Sequence, residues 1–232
     1  QSTLRNVGVF TTISIAFLRE AFIYSTKNKN YNIIYLIFSF IFLFSIHVNA
    51  TEKLSIEKQL VGVVGAISGT VKTETRELKA GDQIYLNETI FAAPGSGTQI
   101  LLLDQSTFTV GEDSEVVMDT FIFDPETNDG KIVASVKQGS LKVISGLISK
   151  KNPDSLTVEV PEGTLGSRGT EFQTIVSKKR TDTLLIGPGK NNTLGLRPGA
   201  VLVGNKFGST MLNNPYSICL LYTSDAADER SS

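Results

Sequence analysis

The sequence predicts an all-β fold, a sandwich or barrel-like β-roll of many short, mostly antiparallel strands, preceded by an N-terminal apolar helix. Two observations predict the β-rich body. Turn signals rich in glycine, proline, asparagine and aspartate recur about every 8–12 residues from residue 59 onward. Short runs of alternating apolar and polar residues lie between them, and no long stretch has the helical period of 3.6 residues.

The composition argues against several classes of function. The chain has 232 residues, a formal net charge of −1 and a pI near 6.0, so binding to nucleic acid driven by charge is not expected. Its one cysteine, Cys219, and one histidine, His47, exclude disulfide frameworks, Cys/His zinc sites and triads that depend on histidine. We therefore predict no catalytic residue, no metal site and no cofactor, and we do not expect an enzyme.

An apolar run near the N-terminus predicts export. Residues 33–46 are uncharged and rich in Ile, Phe and Leu, two lysines precede them, and Ala50 follows. A charged region, an apolar core of about 7–15 residues and a small residue at the end are typical of a secretory signal peptide. We expect residues 31–50 to be a signal peptide cleaved after Ala50, the alternative being an uncleaved membrane anchor. Residues 1–30 are expected to be an upstream or disordered segment.

Short strand candidates follow one another through the exported body. In chain order they are 59–65, 66–74, 84–86, 89–92, 98–103, 107–110, 115–123, 131–137, 140–144, 156–160, 171–176, 183–186 and 200–204. Residues 131–137 and 140–144 are expected to form a hairpin around Gln138-Gly139. Residues 98–103 are mostly apolar, which predicts a strand buried on both faces.

The densest motif is the segment Thr164–Phe172, in which glycines frame a single arginine. Glycines at this spacing indicate positive φ angles or close backbone packing. Arg168 could meet a carboxylate ligand or partner, or it could tie a buried turn to backbone carbonyls and a nearby carboxylate. We favour the structural role and expect Arg168 to be mostly buried. The structural residues predicted for this motif are Gly166, Arg168, Gly169, Thr170 and Phe172.

Five acidic residues cluster in the sequence, namely Asp104, Glu112, Asp113, Asp119 and Asp124. Carboxylates on a loop can bind Ca²⁺, and paired carboxylates can serve a glycosidase. However, no segment matches the Asp-x-Asp-x-Asp-Gly loop, and the chain has no tryptophan to line a sugar-binding groove. We interpret these carboxylates as turn caps and solvated charges.

Six segments together resemble the FecR domain family. They are Gly65–Val71, Leu78–Asp82, Leu103–Gly111, Met118–Pro125, Ser145–Ile148 and Val160–Phe172. The Arg-Gly-Thr core followed by Phe172 is the most specific element. The resemblance runs from about Val61 to Gly208 and places a FecR-like all-β domain at residues 59–210. It implies an extracytoplasmic module without known catalytic residues, whose founding members are membrane-spanning regulators that relay the state of an outer-membrane receptor to a sigma factor.

The chain departs from those regulators on both sides of the domain. About thirty residues precede the apolar run, too few for a helical sigma-binding domain, and we expect the chain to stop before any C-terminal receptor-contacting region. The resemblance is closer to stand-alone secreted members of the family. We therefore expect a non-enzymatic periplasmic or envelope-associated binding and regulatory module, which could act in signal transduction. The alternative is a cell-surface structural or adhesion module that binds glycan or matrix.

The expected partner is an envelope protein or a glycan. We expect no nucleic-acid partner, and we expect membrane contact only through residues 31–50 if that segment is not cleaved. The segment Tyr216–Ser232 breaks the strand-and-turn rhythm and resembles a translated library-adapter tail. We predict that residues 216–232 are non-native and are detached from the β core or packed poorly against it, which would leave Cys219 without a redox or metal role. The alternative is a short helix from Leu220 to Arg230.

Overall fold

The computed structural model describes residues 58–190, 192–193 and 195–222. The chain divides into two compact units, Gln1–Ile56 and Glu57–Ser232, and the described residues all belong to the second. The predicted N-terminal helix and the predicted signal segment lie outside the described residues.

Among the residues that the structure describes, no helix has both the length and the apolar character needed to cross a membrane.

The described residues form fifteen β-strands and one short helix, and the all-β prediction is confirmed. The strands are β1 (Leu60–Ser68), β2 (Val71–Lys72), β3 (Gln83–Tyr85), β4 (Thr89–Ala92), β5 (Gly97–Leu102), β6 (Thr107–Val110), β7 (Ser114–Asp124), β8 (Asp129–Ile144), β9 (Leu156–Val160), β10 (Gly163–Ser167), β11 (Glu171–Val176), β12 (Arg180–Gly187), β13 (Val201–Asn205), β14 (Gly208–Leu212) and β15 (Ile218–Tyr222). The helix, α1, is Leu147–Lys151 and lies between β8 and β9.

Hydrogen bonds connect all fifteen strands, with β8 at the branch point. The main path runs β14-β13-β10-β9-β8-β6-β5-β1-β3. From β8 one branch leads through β11 and β12 to β15, and another leads through β7 and β4 to β2. The strand pairs are antiparallel except for β8 with β9, where Ile132 lies opposite Leu156 in parallel register. The apolar side chains that alternate inward from these strands form one hydrophobic core.

Strand β8 belongs to two sheets. Its first part lies in a sheet with β2, β4, β7, β9, β10, β13 and β14, and its last part lies in a sheet with β1, β3, β5, β6, β11, β12 and β15. Residues 129–138 pair with β7, whereas residues 139–144 pair with β11 and, over part of their length, with β6. Gly139 lies at the change of partner with φ +81°, and a Cβ there would overlap Ser114. The predicted hairpin at Gln138-Gly139 is therefore wrong. The glycine marks a bend at which the strand changes sheets and does not reverse direction.

The apolar run at residues 98–103 buries only one face. Ile100 and Leu102 lie in the core, but Leu101 and Leu103 are 42% and 48% exposed. The prediction that this strand is buried on both faces is therefore wrong. Four other predicted strands, 89–92, 107–110, 156–160 and 171–176, have the bounds of β4, β6, β9 and β11.

The C-terminal segment contributes a strand that was not predicted. Residues 218–222 pair antiparallel with residues 180–184 of β12, and Leu221 is buried in the core. The prediction of a detached tail is wrong for these residues, and so is the start of the alternative helix at Leu220. An unbroken apolar run is able to satisfy the hydrogen-bonding edge of β12. Residues 223–232 lie outside the described residues, and the non-native origin of the segment stays a prediction.

Candidate functional site

The glycine-arginine motif is half strand and half turn. Gly163–Ser167 forms β10, which pairs with β9 on one side and β13 on the other. Only residues 168–170 turn the chain toward β11. Gly169 has φ +69°, a conformation that side chains with a Cβ rarely adopt. A Cβ at Gly166 would lie 3.0 Å from Asp154 Oδ1, so this glycine leaves room for the Asp154 carboxylate.

Arg168 binds the carboxylate of Asp154, which lies in the loop between α1 and β9. Its Nε donates to Asp154 Oδ1 at 2.9 Å and its Nη2 donates to Asp154 Oδ2 at 2.6 Å. These bonds raise the pKa of Arg168 above its ordinary value. Arg168 is partly buried: its side chain is 36% exposed and that of Asp154 is 38% exposed. The carboxylate belongs to a surface loop, so the pair forms at the edge of the fold.

Beneath this pair lies a network of buried serine hydroxyls that the sequence did not predict. Ser145 Oγ donates to the carbonyl of Thr170 at 2.7 Å and accepts from its amide at 3.2 Å. Ser145 Oγ also lies 2.6 Å from Ser167 Oγ. Since the Ser145 proton goes to Thr170, Ser167 donates in this contact. Ser149 Oγ donates to the Ser167 carbonyl at 2.9 Å and accepts from the Gly169 amide at 3.0 Å.

The last two motif residues connect the turn to neighbouring strands. The hydroxyl of Thr170 donates to the carbonyl of Gly187 at 3.0 Å, and this side chain is buried. Phe172 is fully buried and lies in register with Val143 of β8 and Leu185 of β12. The motif therefore holds β10, β11 and the end of β12 together.

A second motif of the FecR resemblance lies against the first. Asp104 is fully buried and accepts from the Ser106 amide at 3.0 Å and the Ser106 hydroxyl at 2.8 Å. The same hydroxyl accepts from the Gly146 amide at 2.9 Å, immediately before α1. A Cβ at Gly146 would overlap the Asp104 carbonyl oxygen and the Ser106 amide nitrogen, so only glycine fits. The motifs at 103–111, 145–148 and 160–172 thus meet around α1. In the sequence, the one indication that these three motifs belong together was that all three are part of the FecR resemblance.

The structure does not bring the five predicted acidic residues together. Asp104 belongs to the buried network, Asp119 accepts from Ser135 Oγ at 2.6 Å, and Asp124 caps the turn after β7 by accepting from Thr127 Oγ1 at 2.8 Å. Glu112 accepts from a loop amide, and Asp113 lies in a turn with φ +51°. Within residues 58–222, gaps excepted, no group of three or more His, Cys, Asp or Glu side chains could hold a metal ion.

Above the Arg168 turn the surface forms a cleft of about 650 Å³, which we call the cationic cleft. Its basic lining residues are Lys150, Arg168, Lys190 and Arg197, and Glu171 is the one acidic residue among the described lining. Glu171 is paired with Lys142 Nζ at 2.6 Å. The cleft therefore carries an excess of positive charge directly over the motif.

A family model and two solved structures are similar to parts of this chain. The family model described as FecR protein matches residues 88–186. No curated protein matches the chain. A 1.65 Å crystal structure described as an anti-sigma factor candidate from Parabacteroides distasonis ATCC 8503 is 13% identical, with a TM-score of 0.43, and the similarity covers 59% of this chain and 56% of that chain.

A second structure of an anti-sigma factor candidate from the same organism, at 2.50 Å, is 12% identical with a TM-score of 0.42, covering 59% of this chain and 55% of that chain. This chain thus spans little more than half of the length of these structures. The match at residues 88–186 includes the motifs that meet around α1, and over these residues the chain is similar to the FecR family.

Proposed function

We propose that this protein is a non-enzymatic, envelope-associated FecR-like module that binds a partner and acts in regulatory signal transduction. The observation that carries the proposal is the buried hydroxyl network. Ser145, Ser149, Ser167 and Thr170 are each 3% exposed or less, and their hydroxyls bond backbone groups and one another. The family motif therefore builds a scaffold, and the surfaces around it are left to make contacts with a partner.

The geometry of the network supports a structural role for its polar groups. A serine nucleophile needs a general base within hydrogen-bonding reach and access to a substrate. Ser106 and Asp104 are the one hydroxyl–carboxylate pair of the network, and both are fully buried. The Ser106 hydroxyl oxygen also accepts a hydrogen bond from the Gly146 amide. Binding at the surface thus fits the molecule better than chemistry at the motif.

Location in the periplasm or outside the cell rests on residues 31–50 and is tested by fractionation. The full chain with a C-terminal tag is produced in a Gram-negative host, released by osmotic shock and sequenced from its N-terminus. We expect the mature protein to begin at Thr51. A Phe40→Arg variant, which interrupts the apolar core of the segment, is expected to stay in the cytoplasm. Recovery of the wild type with residues 33–46 intact in the membrane fraction would indicate an inner-membrane anchor.

The binding role is tested by using the full chain as bait in envelope extract, with a glycan array probed in parallel. We expect a specific envelope protein to be retained, and loss of that protein to change transcription that depends on the FecR-domain chain. Recovery of no protein partner, together with glycan binding on the array, would contradict the proposed regulatory role.

One observation favours the second candidate, a surface module that binds glycan. A groove of about 1270 Å³ crosses the outer face of β9, β10 and β13, lined by polar residues that include Glu159, Glu162 and Thr164. Phe207 stands at the β13–β14 turn with 77% of its surface exposed. An exposed ring beside carboxylates is suited to stacking on a sugar and bonding its hydroxyls. A Phe207→Ala variant should then lose array binding while it keeps any protein partner.

A further inference from the structure

The cationic cleft is enclosed by backbone that is fixed at several points. The Arg168 amide donates to the Ala200 carbonyl at 2.9 Å, and the Gly199 amide donates to the Pro188 carbonyl at 2.9 Å. Arg197 Nη1 donates to the carbonyl of Lys150 at 2.7 Å, which joins the loop after β12 to α1. These bonds hold the two walls of the cleft together, so a ligand would meet a site that is already formed.

The charge of the cleft is not balanced from within. Arg168 is paired with Asp154, and Glu171 is paired with Lys142. Three further cations, which we call the rim cations, are Lys150, Lys190 and Arg197. All three are exposed, and none forms an ion pair with a described residue. Three positive charges, one from α1 and two from the loop after β12, thus face one cleft, and a ligand with several anionic groups would complement them.

The same cleft also has apolar walls. Ile144, Leu196 and Met211 line it and are 40%, 51% and 39% exposed. A small inorganic anion would leave this apolar surface in water, and a purely apolar ligand would leave the rim cations without a counter-charge. The ligand that matches both features carries carboxylates and aliphatic groups together. The volume of about 650 Å³ is that of a preformed ligand site.

We propose that the cationic cleft binds an extended acidic peptide segment with aliphatic side chains, contributed by a partner protein. A peptide offers repeated carboxylates along one chain, which matches cations that come from α1 and from two positions of the loop after β12. The aliphatic side chains of the peptide pack between Ile144, Leu196 and Met211. This inference rests on the proposed function, because it names the surface by which the module would recognise its partner.

The test measures fluorescence anisotropy of the full chain with a dye-labelled peptide, Asp-Leu-Glu-Glu-Leu-Asp. We expect reversal of the three rim cations, in the triple variant Lys150→Glu, Lys190→Glu and Arg197→Glu, to weaken binding by about tenfold or more. Added salt should weaken wild-type binding because exposed charges are screened. The matched control reverses three exposed lysines outside the cleft, Lys72→Glu, Lys131→Glu and Lys137→Glu, and should bind within about twofold of the wild type.

The apolar part of the site is tested with Leu196→Ser, which should weaken binding several-fold without changing its salt dependence. If the charge-reversal triple fails to fold by circular dichroism, glutamine at the same three positions replaces it, with the same expectation. Equal binding by the rim variant and the control variant would overturn the proposal. So would equal affinity for the neutral peptide Asn-Leu-Gln-Gln-Leu-Asn.

The proposal and the proposed function can fail separately. If an envelope protein is captured equally well by the wild type and by the rim variant, the cleft is not the binding surface, although the module still has a partner. If the wild type captures no envelope protein but binds the acidic peptide through the rim cations, the regulatory role fails and the specificity of the cleft stands.

Discussion

The carboxylate of Asp154 accepts two hydrogen bonds from Arg168, at 2.9 Å from Nε and 2.6 Å from Nη2. This bidentate pair connects the loop after α1 to the turn that follows β10. Because both side chains are more than a third exposed, solvent screening reduces the contribution of the pair to stability.

We predict that Arg168→Ala lowers the free energy of unfolding by about 1 kcal/mol, measured by urea denaturation. Arg168→Lys should recover only part of this loss, since an ammonium group does not reproduce the two-pronged contact. A double-mutant cycle with Asp154→Asn isolates the pair. Arg180→Ala, which removes a single 2.9 Å contact with Asp182, is the comparison and should cost less. Independent effects of the Arg168 and Asp154 changes would contradict this assignment.

We predict that the hydroxyl network contributes more to the free energy of unfolding than the exposed Arg168–Asp154 pair. Ser145→Ala removes the acceptor of the buried Thr170 amide and of the buried Ser167 hydroxyl, whereas the Thr170 carbonyl still accepts from the Ser145 amide. Leaving a buried polar group without a partner costs about 1–3 kcal/mol, so we expect a loss of about 2–3 kcal/mol in thermal or urea unfolding. Ser209→Ala, on the exposed face of β14, should change stability by less than about 0.5 kcal/mol. Equal effects at the two serines would show that the network contributes little.

Gly146 is expected to tolerate no side chain. A methyl group there would overlap the backbone of Asp104 and Ser106, so Gly146→Ala must displace the buried turn or α1. We predict a loss of about 3 kcal/mol or more, or failure to accumulate folded protein, assessed by circular dichroism and urea unfolding. Gly208→Ala provides the control, since a Cβ at that position would meet no atom within 4 Å. A folded Gly146→Ala protein of wild-type stability would contradict the geometry around α1.

The hairpin between β7 and β8 should make the domain sensitive to acid. Hydrogen bonds from Lys151 and Asn152 lower the pKa of Asp129, and the hydrogen bond from Thr127 lowers that of Asp124. A carboxyl group whose pKa is lower in the folded state stabilises the fold above its unfolded pKa, and this stabilisation is lost as pH falls through the folded pKa.

We therefore expect the free energy of unfolding to decline below about pH 4, measured by urea denaturation across a pH series. Asp129→Asn should make the decline shallower, because the asparagine does not take up a proton. Glu77→Gln removes an equal charge from a side chain with no hydrogen bond or ion pair to a described residue, and serves as the control. An unchanged pH profile in Asp129→Asn would show that this carboxylate is not linked to folding.

The origin of residues 216–232 is tested by reading the locus from an independent assembly. We predict that a different C-terminal sequence follows Pro215. The pairing of Ile218–Tyr222 with β12 shows only that an apolar run can occupy that edge. The same residues in frame in a second assembly would show that the segment is native.

The fold class could be predicted from sequence because turn residues recur where strands end. The alternation of apolar and polar residues predicted the bounds of β9 and β11, whose side chains face the core and the solvent in turn. The bend at Gly139 could not be predicted, because a glycine that permits a hairpin also permits a strand to change sheets. The exposure of Leu101 could not be predicted either, since hydrophobicity alone does not reveal which face of a strand is covered.

The candidate site was predicted in part. A carboxylate partner for Arg168 could be predicted from the chemistry of a guanidinium. The exposure of the Arg168 side chain could not, because it depends on the position of the Asp154 loop, which is fixed by tertiary packing. The serine network had no local signal, because Ser145 and Ser167 are brought together by strands that are distant in the sequence. The cationic cleft likewise depends on the path of the loop after β12.

The order of the strands determines which segment of this chain can fold without uncovered strand edges. The matched residues 88–186 end within β12 and exclude β1, β2, β3, β13, β14 and β15. A protein trimmed to those limits would leave β4, β5, β10 and β12 each with one hydrogen-bonding edge uncovered. Uncovered edges recruit strands from other molecules. The recognisable family signature is therefore smaller than the autonomous folding unit, and expression limits set by the signature alone would give self-associating protein.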